Sequence, residues 1–133
     1  MQAVTRTVYY PIQFQSINMQ QLEQEKRQLI GALMNELEQA LRVQKLWQSE
    51  SPSEQALAST EPFAIDTLNF TQWLQFIFIE KISVLLQLNL PLPTAMAIAP
   101  MATEYFKSQS INSAEIVALI TRIDLTINEN NRC

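Results

Sequence analysis

Between Met19 and Gln48 the apolar residues return every three or four positions. Leu22, Leu29, Leu33, Leu37, Ala40 and Trp47 form one stripe, widened by Ile30 and Leu41, while Gln, Glu, Lys and Arg fill the rest. That period predicts an amphipathic helix about 45 Å long at 1.5 Å per residue. Ser49–Ser51 end it, and Ser51-Pro52-Ser53-Glu54 offers an N-cap, a proline at N1 and a glutamate at N3. A short helix through Ala58 is expected there. After a loop over Ser59–Leu68, Asn69-Phe-Thr-Gln72 has the form of a capping box, with Leu68 and Trp73 in the staple positions. The helix it opens runs to about Leu88 and is apolar almost all round, with Gln72, Gln75, Glu80, Ser83 and Gln87 on one narrow polar stripe. So little polar surface places this helix at the centre of the domain.

Asn89-Leu-Pro-Leu-Pro93 reads as a stiff linker. Pro100 suits the first turn of a helix covering Met101, Ala102, Tyr105 and Phe106. A last helix is expected from Asn112, with Glu115 at N3 and Ile116, Leu119, Ile120, Ile123 and Ile127 on one face. Residues 1–18 show no helical period and only a short alternation, Val8, Tyr10, Ile12, Phe14, which reads as a flexible arm; 129–133 read as a frayed end. The fold class predicted is all-α: an antiparallel four-helix bundle over 19–128, with an additional short helix and the arm.

Composition removes chemistry. The 133 residues hold no histidine, which excludes a Ser-His-Asp triad and imidazole metal ligation. The one cysteine, Cys133, makes no intrachain disulfide or cysteine zinc site. The one glycine, Gly31, leaves no glycine-rich phosphate loop. The net charge of −4 sits in the middle of the chain, where Glu54, Glu61, Asp66, Glu80 and Glu104 face Lys81. That balance argues against direct nucleic-acid binding. The N-terminus lacks the apolar stretch of a signal peptide, and Pro91, Pro93 and Pro100 interrupt the uncharged run after Lys81. The expectation is a soluble, cytoplasmic protein.

Ser59-Thr-Glu-Pro-Phe-Ala-Ile-Asp-Thr67, then Trp73-Leu-Gln75, Pro91-Leu-Pro93 and Ala99-Pro100 follow one another in an order that resembles the YqcC-like family, small bacterial all-helical proteins. The resemblance covers roughly Met19 to Asn128. It implies a helical bundle, a bacterial cytoplasmic setting and a gene neighbour of the tRNA pseudouridine synthase type; it brings no catalytic residues. Phe76 departs from the family by standing where a second tryptophan is common, and the arm has no counterpart.

Without histidine, acid–base work would fall to carboxylates, Lys or Tyr. Asp66, in the loop before the central helix, is the best candidate, although an Asx turn or helix-entry cap is the commoner role for such a residue. Lys81, on the apolar side, is expected to snorkel or to pair with Asp66 or Asp124. Trp47 and Trp73 offer stacking surfaces, but aromatic residues at helical spacing are usually core. Gln72, Gln75 and Gln87 form either a partner surface or a solvated strip. Glu36 and Glu38, two apart, make a poor metal pair. No catalytic residue, cofactor or metal is expected. The leading expectation is a non-enzymatic interaction module with a protein partner, an accessory to tRNA modification. The alternative is a small-ligand binder with a pocket near the Pro62–Thr67 loop, formed by Pro62, Phe63, Asp66, Trp73 and Gln75.

Overall fold

The computed structural model describes residues 2–129, with side chains from Met19 onward, and all its regular elements are helical. They are α1 (Gln2–Val43), the single turn α2 (Glu54–Leu57), a 3-10 turn (Pro62–Ala64), α3 (70–87), α4 (Ala99–Phe106) and α5 (Ala114–Asn128). No side chain of the expected arm, 1–18, is described; the backbone of α1 is helical from Gln2. Of the expected frayed end, residues 130–133 lie outside the described residues.

Pairwise contacts fix the directions. Arg27 near the middle of α1 reaches carbonyls at the end of α3, while Gln48, beyond the end of α1, meets Gln75 near the start of α3. The two helices are therefore antiparallel. Phe70 at the start of α3 packs on Tyr105 and Phe106 at the end of α4, and Asp124 late in α5 binds the start of α4. The four main helices thus alternate up and down, as the sequence pattern implies. Their facing stripes meet in one core, in which Ile30, Leu33, Leu37, Leu41, Leu74, Ile82, Ile116, Ile120, Ile123 and Ile127 are sealed from solvent. No helix among the described residues is long and apolar enough to cross a membrane.

Boundaries shift from the expectation where the backbone departs from ordinary helix chemistry. α1 stops at Val43, five residues short of the predicted end. Lys45 takes φ 62°, its N–H bonds the Arg42 carbonyl at 2.9 Å, and the Leu46 N–H bonds that of Leu41 at 2.8 Å. This is a Schellman end closed by a lysine where glycine is usual. α3 ends the same way on Asn89, φ 58°, with Leu90 bonding Leu85. Lys45→Gly is expected to stabilise the protein by about 0.5 kcal/mol, the left-handed strain relieved outweighing the entropy that glycine adds to the unfolded chain. A lowered melting temperature would show that the lysine side chain itself holds the turn. Ser53, not Ser51, caps α2, its Oγ accepting from the Ala56 N–H at 3.1 Å. Ser113, not Asn112, precedes α5, and the Asn112 side chain accepts from Ala114 N–H instead.

The larger correction concerns α3. Its capping box is as expected, with Asn69 Oδ1 accepting from Gln72 N–H at 2.8 Å and Gln72 Oε1 accepting from Asn69 N–H at 3.0 Å. From Leu74 to Ile79, however, the backbone is π-helical. A π turn holds an extra residue, so the faces before and after it no longer line up on an α wheel. The predicted polar stripe breaks up accordingly: Gln75 is 7% exposed, while Glu80 and Gln87 remain outside. Phe76, Ile77, Leu85 and Leu86 are half-buried and Val84 is exposed, so α3 is not enclosed on all sides.

Polar side chains fasten the helix ends. Asp124, 8% exposed, accepts from the N–H groups of Ile98 (2.9 Å) and Ala99 (2.8 Å), and so caps α4 from another helix. One turn on, Asn128 accepts from Met96 N–H at 2.9 Å and donates to Met96 O at 2.7 Å. Lys26 and Arg27, neighbours on α1, point to different helices. Lys26 Nζ donates to Ile127 O at 3.3 Å, and Arg27 donates to the carbonyls of Leu90 (2.9 Å) and Leu85 (3.0 Å). Both cations lie at helix C-termini, where the macrodipole favours them.

Candidate functional site

The connection from α1 to α3 is tied down by side chains. The Gln75 amide accepts from Gln48 N–H at 2.9 Å and donates to Gln48 O at 2.8 Å, while Gln72 Nε2 reaches Gln48 Oε1 at 3.3 Å. Further on, Ser59 Oγ accepts from Glu61 N–H and donates to Asp66 Oδ1 at 2.5 Å, and Thr67 Oγ1 donates to Ala56 O at 2.7 Å. Between these ties Phe63 and Ala64 both sit in the left-handed region, φ 56° and 48°. Each costs roughly 1 kcal/mol or more for a residue with a Cβ. The Phe63 ring accounts for the bend: it meets Trp73 edge-on at 4.8 Å and Phe70 at 6.1 Å.

Of the five residues expected to share a site, the fold joins two. Phe63 and Trp73 are in contact and belong to an aromatic cluster with Phe70, Phe78, Tyr105 and Phe106. Pro62 is exposed at the start of the 3-10 turn, and Asp66 is exposed with its carboxylate on Ser59. Gln75 spends its amide on Gln48. Asp66 accordingly acts as a loop tie. Asp66→Asn keeps an oxygen for the Ser59 hydroxyl, so its stability is expected to stay within about 0.5 kcal/mol of the parent. A thermal melt displaced by more than about 5 °C would show a larger structural role.

Other candidates also resolve. Lys81 is exposed and makes no ion pair among the described residues; Asp124, one partner expected for it, holds the α4 amides instead. Trp47 stacks under the Arg42 guanidinium at 5.0 Å, and Arg42 also pairs with Glu38 at 2.8 Å. Among the described residues no group of three or more His, Cys, Asp or Glu could hold a metal ion.

What single-helix reasoning did not anticipate is an open groove of about 380 Å³ on the outer side of α3, lined by Leu57 of α2 with Phe76, Ile77, Glu80, Lys81, Val84 and Leu85. Its signal in the sequence is the run of apolar residues all round α3, more than one buried face needs.

Comparison with known proteins fits this architecture. The profile of the family described as DUF446, tRNA pseudouridine synthase C, matches residues 18–126. A Haemophilus influenzae protein named only as uncharacterized is 32% identical over 100 residues, 75% of this chain and 92% of the relative. A tRNA pseudouridine synthase C of Pectobacterium carotovorum is 43% identical over 58 residues, which are 44% of this chain and only 15% of that enzyme. The solution NMR structure of YqcC from Escherichia coli superposes with a TM-score of 0.69 at 28% identity, covering 78% of this chain and 89% of that one. The chain belongs to the YqcC-like DUF446 family.

Proposed function

We propose that this chain is a non-catalytic helical interaction module that serves a tRNA-modifying enzyme, with a tRNA pseudouridine synthase as its protein partner. The observation that carries the reading is the 58-residue stretch 43% identical to part of a tRNA pseudouridine synthase C and amounting to 15% of that enzyme. A stretch that makes up 15% of the enzyme and 44% of this chain suits a segment that a separate subunit can supply. The polar side chains support a scaffolding role. Asp124, Asn128, Gln75, Lys26 and Arg27 are all engaged with backbone groups of the fold.

Mixing the purified chain with a tRNA pseudouridine synthase C from the same cell tests this. Co-elution, a Kd in the range of about 1–10 μM and a change in pseudouridine formation on tRNA are expected. No complex at about 100 μM, with unchanged enzyme turnover, would overturn the reading. Pseudouridine formation by the isolated chain would overturn its non-catalytic part.

The isolated chain is expected not to retard tRNA in a gel at physiological salt, because Glu54, Glu61, Asp66, Glu80 and Glu104 outnumber Lys81 across its middle. A micromolar, salt-dependent shift would contradict this.

A further inference from the structure

Building on the accessory reading, we infer that the partner docks in the groove between α2 and the outer face of α3, and that what enters it is a basic, amphipathic segment of the partner enzyme. Ile77, Lys81 and Val84 of α3 line the groove together, and Leu88 follows Val84 one α-helical turn on. Val84 is 38% and Leu88 63% exposed, and Leu57 closes the groove from α2. This floor suits apolar side chains. Exposed carboxylates are Glu80 in the lining, Glu54 one turn before Leu57 on α2, and Glu61 and Asp66 on the loop that Ser59 and Thr67 tie back to the end of α2. None of the four forms a salt bridge among the described residues, and Lys81 is the lining's own cation.

Charge complementarity selects the occupant. An enzyme that binds tRNA must carry basic surface, and a basic segment with an apolar face satisfies both the floor and the carboxylates. A second copy fits badly, because a two-fold interface through this groove would set like acidic surfaces against each other. RNA is repelled by the same carboxylates. The other exposed apolar patch, Leu22 and Leu29 beside α5, carries a smaller acidic excess, Glu25 and Glu129 against Lys26.

The test measures affinity of the full chain for a purified tRNA pseudouridine synthase C at low and physiological salt, with Val84→Asp, Glu80→Lys and, as a control, Leu22→Asp. Val84→Asp should weaken binding by about tenfold or more, and Glu80→Lys by about threefold with a flatter salt dependence, while Leu22→Asp binds normally. Circular dichroism checks each fold, and Glu80→Lys, at an exposed position, keeps the test decisive if Val84→Asp does not fold. Wild-type affinity in a folded Val84→Asp or in Glu80→Lys would overturn the groove and leave the accessory reading standing. Absence of binding by the unmodified chain would overturn both. Self-association or tRNA capture abolished by these substitutions would overturn the chosen occupant.

Discussion

Asp124→Ala should destabilise the protein by about 3 kcal/mol, combining a lost helix cap with two N–H groups left without an acceptor. The carboxylate is 8% exposed and accepts from both Ile98 and Ala99, so water cannot readily replace it. For a domain of this size the midpoint should fall by about 10 °C. Asp124→Asn keeps one acceptor oxygen and should recover about half of the loss. A melt of the alanine variant within about 2 °C of the parent would show that the two amides find other partners.

Phe70→Ala is expected to cost about 3–5 kcal/mol, the range for removing a buried aromatic ring. Phe70 is 3% exposed and touches Phe63, Trp73, Tyr105 and Phe106, so its cavity would open between the loop, α3 and α4 at once. Trp73→Ala should cost less, about 2 kcal/mol, because the indole is only half-buried. Reversal of that order in chemical denaturation would make Trp73 the anchor of the cluster.

Local chemistry was readable in advance and long-range chemistry was not. The Asn69–Gln72 box is a matter of residues three apart, and its prediction holds to the atom. The helical stripes that set the bundle are likewise local periods. By contrast, the chain turns left-handed at Lys45, Phe63, Ala64 and Asn89 without a glycine at any of them, so the usual marker was missing. Asp124 was legible as a carboxylate but not as the cap of α4, because its partners lie 25 and 26 residues away. Gln75 leaves the predicted polar stripe for a geometric reason: 100° per residue does not hold across the π segment. At the candidate site, the apolar pair Phe63 and Trp73 came together as aromatic residues near a helix entry tend to. The polar members were claimed one by one by nearer backbone and hydroxyl groups.

The bond from Lys26 to the carbonyl of Ile127 joins positions 101 residues apart. During synthesis α1 emerges first, yet the carbonyl that receives its lysine is made only after almost every other element of the bundle. Arg27 finds its carbonyls at 85 and 90 much earlier. A nascent chain can therefore pair α1 with α3 while α5 is still in the ribosome, but it cannot seal the core until translation has passed residue 127 and the tunnel has released it. Until then the isoleucine-lined faces of the unfinished bundle stay open to solvent and to chaperones.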